Sequence, residues 1–240
     1  MLGYAEIIVQ KGRENMTELS KKAAFFAIEG GDGSGKTDQI TLLQERWETL
    51  FPDHSFVFTK EPGGGPKLSK DLRELALNHP ESKDAEPATM LSMMIASRFE
   101  HVGKFIRPNL DAGRSVVTDR FEASSYAYQI VGQKADSLRG LYTEHRSVVL
   151  DMLGDFPLHI LLLDVKPEVA MERLAARKYK QGDQNHFDLR PLEFHEEVRR
   201  GLLHHKETLH PSTIVIDGNP SQETVHQSIV SAIRGILEAS

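Results

Sequence analysis

Five short runs along the chain are almost wholly apolar: 24–29, 55–59, 115–118, 159–164 and 213–217. Each is too short for a helix and is bounded by polar or turn-forming residues, so the pattern predicts strands covered on both faces. Between them apolar residues recur at helical spacing. This predicts helices over 36–50, 68–78, 87–112, 120–131, 135–152, 167–178, 191–209 and 221–238. Pro52, Pro80, Gly113, Gly154 and Pro211 mark several of their ends. Such alternation predicts an α/β fold in three layers, a five-stranded parallel sheet flanked by helices. Functional residues are then expected at the carboxyl ends of the strands. A polar stretch at 177–190 breaks the rhythm, joining two helices and carrying four basic residues and His186. It reads either as a solvated loop or as a lid that closes over a ligand and excludes water. Residues 1–22 are polar without a clear period and read as an N-terminal extension. The 218 residues from 23 to 240 (240 − 22) are then one domain.

The first apolar run leads directly into Gly30-Gly31-Asp32-Gly33-Ser34-Gly35-Lys36-Thr37, and a helical pattern follows. Strand, G-x-x-x-x-G-K-[ST] loop and helix together form the phosphate-binding context of a P-loop fold. Glycine tolerates the backbone angles that turn successive N–H groups toward an anion. The helix beginning near Gly35 adds its positive end. Lys36 has the reach for β- and γ-phosphates, and the Thr37 hydroxyl for Mg²⁺. The chain is therefore expected to bind a nucleoside triphosphate.

Two further strand ends carry chemistry. The run at 115–118 ends in Thr118-Asp119-Arg120, a carboxylate and a guanidinium at the sheet's edge. Asp119 is suited to the hydration shell of Mg²⁺, acting through water, and Arg120 to a bidentate grip on phosphoryl oxygens. The alternative is an Asp–Arg pair that caps the next helix. The run at 55–59 leads through Lys60 and Glu61 into Pro62-Gly63-Gly64-Gly65, a tight turn that presents both charged residues at the same edge. No Asn-Lys-x-Asp sequence occurs, which disfavours a switch GTPase.

A net charge of −6 argues against a general nucleic-acid binder. No apolar run approaches the roughly 18 residues that span a bilayer, and there is no cysteine for a disulfide or thiolate site. A cytoplasmic protein without a membrane or nucleic-acid partner is expected.

The ordered set of motifs resembles the thymidylate kinase family. It runs through Ile28–Thr37, Phe58–Gly64, Ala96-Ser97-Arg98, Ile106-Arg107-Pro108, Asp119-Arg120-Phe121, Ser124 and Ala127-Tyr128-Gln129. Further on come Leu163–Glu168, Arg173, Arg177 and Glu193–Arg199. The resemblance implies transfer of the γ-phosphoryl group of ATP to deoxythymidine monophosphate, with Mg²⁺, by a homodimer. It implies catalytic roles for Asp32, Lys36, Arg120 and Arg177. It places Lys60, Glu61, Arg73, Met94, Arg98, Arg120, Ser125, Tyr128 and Gln129 at the acceptor, with Arg98 and Ser125 on the pyrimidine edge and Tyr128 below the sugar. It assigns Arg173, Lys178, Lys180, His186 and Arg190 to the lid. Gly33 stands where one branch of the family has an arginine, which implies that this chain draws catalytic charge from the lid. Several positions depart from the family's pattern: Met94 stands for a stacking aromatic, Lys60 for an arginine, Asp38 for a hydroxyl residue and His186 for a lid arginine. A broader deoxynucleoside monophosphate kinase and a non-catalytic ATP-binding regulatory module are the alternatives. The apolar group Met90, Leu91, Met93, Met94 and Ile95 reads either as part of a dimer face or as ordinary core.

Overall fold

The computed structural model describes residues 23–176, 187 and 189–239. Its centre is a five-stranded, all-parallel sheet in the order β2-β3-β1-β4-β5. The strands are β1 (Phe25–Gly30), β2 (Ser55–Lys60), β3 (Arg114–Asp119), β4 (Leu158–Asp164) and β5 (Ile214–Asp217). The expected strand positions hold to within one residue.

Continuous apolar runs are needed where both faces of the sheet are covered, as at β1, β3 and β4; the expectation fails at the edge strand β5, where Ile214 and Val215 are exposed. Phe25 and Ala27 of β1 point into one core with Val116, Leu158, Ile160 and Leu162. Ala24, Phe26 and Ile28 point into the other with Val117, Leu161, Leu163 and Ile216. Helices α1 (Lys36–Leu50) and α9 (Gln222–Ala239) close the second core with Ile40, Leu43, Ile229 and Ile233. Burying side chains of this size stabilises the fold by about 1.5–3 kcal/mol each.

The first core is covered by three helices: α3 (Pro87–His101), α6 (Arg139–Leu153) and α8 (Leu192–Thr208). Helix α2 (Lys67–Asn78) packs beside α3, and α7 (Pro167–Ala176) follows β4. Met90 and Leu91 are almost fully buried within this single chain, and Met94 and Ile95 nearly so. Met93 is half-buried against the same core, so the group reads as core rather than as a dimer face.

Three helical expectations are corrected. The predicted helix 87–112 is not uniform: α3 passes through a π-helical stretch, Val102–Ile106, into α4 (Arg107–Asp111). Pro108 lies in the first turn of α4, the place where a proline's missing N–H costs least. The helix expected from 120 begins at Glu122 as α5 (Glu122–Ser125) and continues as a π-helical stretch, Tyr126–Gly132. Arg120 is left-handed, with φ of 67°, and cannot be helical. The helix expected from 135 opens with a 3₁₀ turn, Asp136–Leu138, before α6.

Candidate active site

The strand order fixes where a ligand fits. The chain leaves β1 toward one edge of the sheet, at β2, and leaves β3 toward the other side, at β4. A crevice opens between the carboxyl ends of these two neighbouring strands. Residues 30–37 follow β1 and Arg120 follows β3, so both border it.

In the phosphate loop Gly33 and Gly35 have φ of 76° and 89°. A Cβ on Gly33 would also stand 2.3 Å from the carbonyl oxygen of Ala170 in α7. The loop packs too tightly on α7 for a larger residue in this arrangement, which accounts physically for the glycine. Lys36 is buried, and its ammonium donates to the carbonyls of Gly30 (3.0 Å) and Gly31 (2.7 Å) and to Ser34 Oγ (3.2 Å). Burial, and then the charge of Arg120, push its pKa down to about 8 against the opposing pull of Asp119, Asp32 and Glu29. The Thr37 hydroxyl donates to Asp119 Oδ2 at 3.0 Å, while Asp119 Oδ1 is buried without a partner.

Arg120 crosses from β3 to the loop. It donates to the Gly30 carbonyl (2.9 Å) and Ser124 Oγ (3.1 Å) and pairs with Asp32. Tyr128 donates its hydroxyl to the other Asp32 oxygen at 2.8 Å, and its ring lies 5.0 Å from the Arg120 guanidinium. Burial works to raise the Asp32 pKa, yet Arg120 foremost, then Lys36, keeps the carboxyl below its ordinary range. Glu29, at the end of β1, accepts from the N–H groups of Phe121 (2.8 Å) and Ser124 (3.1 Å). The cap of the following helix is therefore Glu29, and the Asp119–Arg120 pair is left facing the loop.

Beside the loop lies an open cleft of about 110 Å³, bordered by Asp32, Glu61, Arg73, Met94, Arg98, Arg120, Ser125, Tyr128 and Gln129. At its floor Arg98 donates to Glu61 (2.6 Å), the Phe121 carbonyl (2.9 Å) and Ser125 Oγ (3.0 Å). His101 contacts the second Glu61 oxygen at 3.0 Å. Burial favours the neutral acid, but Arg98 and His101 hold Glu61 below the usual carboxylate range. Arg73 donates to the Pro62 carbonyl at 2.9 Å and lines the cleft; burial lowers its pKa, though it stays charged. Polar groups converge at one end, while Leu77, Met94 and Phe187 supply apolar walls.

Most residues expected at the acceptor thus share one cleft. Lys60 does not: it is exposed at the end of β2 and lies off the cleft wall. Arg173 donates to the carbonyls of Gly218 (3.0 Å) and Asn219 (3.3 Å), beyond β5. Arg190 stacks over Phe194 at 5.6 Å. Arg177, Lys178, Lys180 and His186 lie outside the described residues. Sequence reasoning missed Glu29, Leu77, Ser124 as a partner of Arg120, and Phe187. A carboxylate at the end of an otherwise apolar strand was the available signal for Glu29. Phe187, an aromatic within a polar stretch, was the signal for a cleft wall.

A parallel sheet with β1 and β3 adjacent, a phosphate loop and a second cleft sharing Asp32 and Arg120 define the class: a P-loop protein with a nucleotide site and an adjoining acceptor site. Comparison with known proteins gives the family. The family model described as thymidylate kinase matches residues 28–229. The thymidylate kinase of Marinomonas sp. is 31% identical over 226 residues, covering 91% of this chain and 97% of its own. That of Caulobacter vibrioides is 35% identical over 210 residues, covering 87% and 95%. The crystal structure of thymidylate kinase from Ehrlichia chaffeensis matches with a TM-score of 0.66 at 27% identity, covering 88% of this chain and 98% of that one. The chain belongs to the thymidylate kinase family, and is accordingly an ATP-binding transferase of the kinase type.

Proposed function

We propose that this protein transfers the γ-phosphoryl group of ATP to deoxythymidine monophosphate, giving the diphosphate in dTTP synthesis. The observation that carries this reading is the sharing of Asp32 and Arg120 between the phosphate loop and the adjoining cleft. Two phosphates brought together there would meet across one guanidinium. Family membership supports the thymine nucleotide as acceptor, and neither a broader specificity nor a non-catalytic role gains support from the relatives.

The chemistry needs little beyond alignment and charge. Lys36 exchanges the carbonyls of Gly30 and Gly31 for phosphate oxygens, and the loop N–H groups and the α1 N-terminus hold the rest. Arg120 spans donor and acceptor phosphates, oriented by Asp32 and Ser124. Arg73 meets the acceptor phosphate. Arg98, fixed by Glu61 and Ser125, faces the pyrimidine, with Met94 against its ring and Gln129 at its edge. Tyr128 packs under the sugar. The acceptor phosphate is already an anion at neutral pH, so no strong base is required. Arg177 and the other cations of the 177–190 segment complete the charge and exclude water.

Among the described residues no cluster of three or more His, Asp or Glu side chains forms a metal cage. Mg²⁺ does not need one, since it binds through one or two carboxylates, waters and substrate phosphates. The orphaned Asp119 Oδ1 beside the Thr37 hydroxyl fits that mode. When bound there, Mg²⁺ would neutralise charge developing on the phosphates.

The homodimer rests on family resemblance, and Leu141 and Val148, exposed one heptad apart on α6, are available to it. A cytoplasmic location is carried over from the sequence, whose apolar runs are all short. Among the described residues no helix is long and apolar enough to cross a membrane. The test of function is ADP formation from ATP and Mg²⁺ with a panel of deoxynucleoside monophosphates. Highest kcat/KM for dTMP is expected; no turnover with any acceptor would overturn the reading.

A further inference from the structure

Asp32 is a wall between two spaces. One side borders the acceptor cleft, and the other borders a small cavity of about 20 Å³ behind the phosphate loop. Gly31, Ser34, Ala170 and His195 close that cavity. His195 comes from the first turn of α8 and is 5% exposed. Its Nε2 is buried and has no hydrogen-bond partner in the protein. Such a nitrogen is costly unless satisfied. Most of the cavity wall is apolar, but Asp32, Ser34 and Asp164 also line it, and a space of that size has room for one water making two to four hydrogen bonds. Asp32 can receive one of them. An ionised carboxylate offers about four lone-pair sites, and Arg120 and Tyr128 each take one.

We infer that His195 is a positioning residue for phosphoryl transfer: through a water in this cavity it holds the Asp32 carboxylate turned toward Arg120 and Tyr128. The inference rests on the kinase reading above. His195 does not line the acceptor cleft. It acts on the carboxylate that aims Arg120, the group proposed to span both phosphates. The electrostatics agree: burial raises the Asp32 pKa, Arg120, Lys36 and Tyr128 lower it, and His195 adds to the lowering.

The bland competitor is packing, since the imidazole also lies edge-on to Phe194 at 5.8 Å. The two roles separate by the chemistry of the replacement. His195→Gln keeps a polar tip that can bind the water. His195→Met keeps much of the volume and loses the tip. Positioning predicts that His195→Met lowers kcat about tenfold with KM for ATP and dTMP within about twofold, and that His195→Gln recovers most of the loss. It further predicts that in an Asp32→Asn background the methionine change costs less than about twofold, because the group it positions has already been altered. Equal losses in the Gln and Met variants, or an undiminished loss in the Asp32→Asn background, would overturn the inference. If the methionine variant does not fold by thermal melting, the cycle is run with His195→Asn, whose shorter amide withdraws from the cavity. Turnover of dTMP by the unaltered enzyme tests the kinase reading separately, so the two failures are distinguishable.

Discussion

Lys36 gives the sharpest quantitative expectation. In the free protein its ammonium is buried, beside Arg120, and its pKa is lowered from an ordinary 10.5 to about 8. At 1.36 kcal/mol per pKa unit, that corresponds to about 3 kcal/mol of differential interaction between charged and neutral forms. Only the ammonium attracts a triphosphate. With an inflection near 8, about one molecule in eleven keeps the proton at pH 9 and about one in a hundred at pH 10. The kcat/KM for ATP, measured at saturating dTMP and Mg²⁺, should therefore fall about tenfold from its plateau to pH 9. Bound phosphates restore opposite charge around the ammonium and raise its pKa, so kcat should stay level past the point where kcat/KM has dropped. Lys36→Arg removes the ionisation, and its residual activity should show no alkaline limb. A kcat/KM level to pH 10, or a kcat falling with the same inflection, would refute the reasoning. The same shift has a stability counterpart. Between about 8 and 10.5 the unfolded lysine holds more proton than the folded one, so this group's contribution to stability rises with pH across that window.

Three other outcomes are expected. Arg120→Ala should lower kcat with dTMP by about 10²–10³-fold, the range for losing one aimed charge stabiliser, while ATP affinity changes little; Arg120→Lys should recover part, and parallel losses in both would count against bridging. Gly33→Ala should lower the unfolding free energy by about 1–3 kcal/mol, because its φ is 76° and the added Cβ would stand 2.3 Å from the Ala170 oxygen; unchanged thermal melting would contradict this packing. Glu122 is buried, and although burial works to raise its pKa, His205, Arg146 and Tyr142 hold it down at about 2. A depressed carboxylate stabilises above its unfolded pKa near 4.5 and loses that contribution as pH falls toward 2. Denaturant titrations should find about 3 kcal/mol lost across that window, and Glu122→Gln should flatten the loss.

What could be read from the sequence divides along a physical line, that of contiguity. The strands were legible because a two-faced sheet demands apolar side chains at consecutive positions, and Phe25, Phe26 and Ile28 supply them to opposite cores. The phosphate loop was legible because its function is local: eight adjacent residues set the backbone that cradles an anion. The start of α5 was not legible. Arg120 and Phe121 suit a helix by propensity, yet the chain enters α5 only at Glu122, because Glu29 accepts the N–H groups of Phe121 and Ser124 from 92 and 95 residues away. The acceptor cleft lies between these cases. Its members come from the phosphate loop, the turn after β2, α2, α3, the exit of β3, α5 and the π-helical stretch after it, and position 187, with no fixed spacing, and only a whole-chain resemblance could gather them. That route has a characteristic bound. It transfers residue types at matching positions but not their placement, so it grouped Lys60, exposed at the end of β2, with residues that line the cleft wall. It also passed over Phe187, an apolar wall within a polar stretch, and His195, whose relation to Asp32 exists only across a cavity. Residues that act through a neighbour leave no pattern of their own in the chain. They become visible when a buried atom is found without a partner, as Nε2 of His195 is.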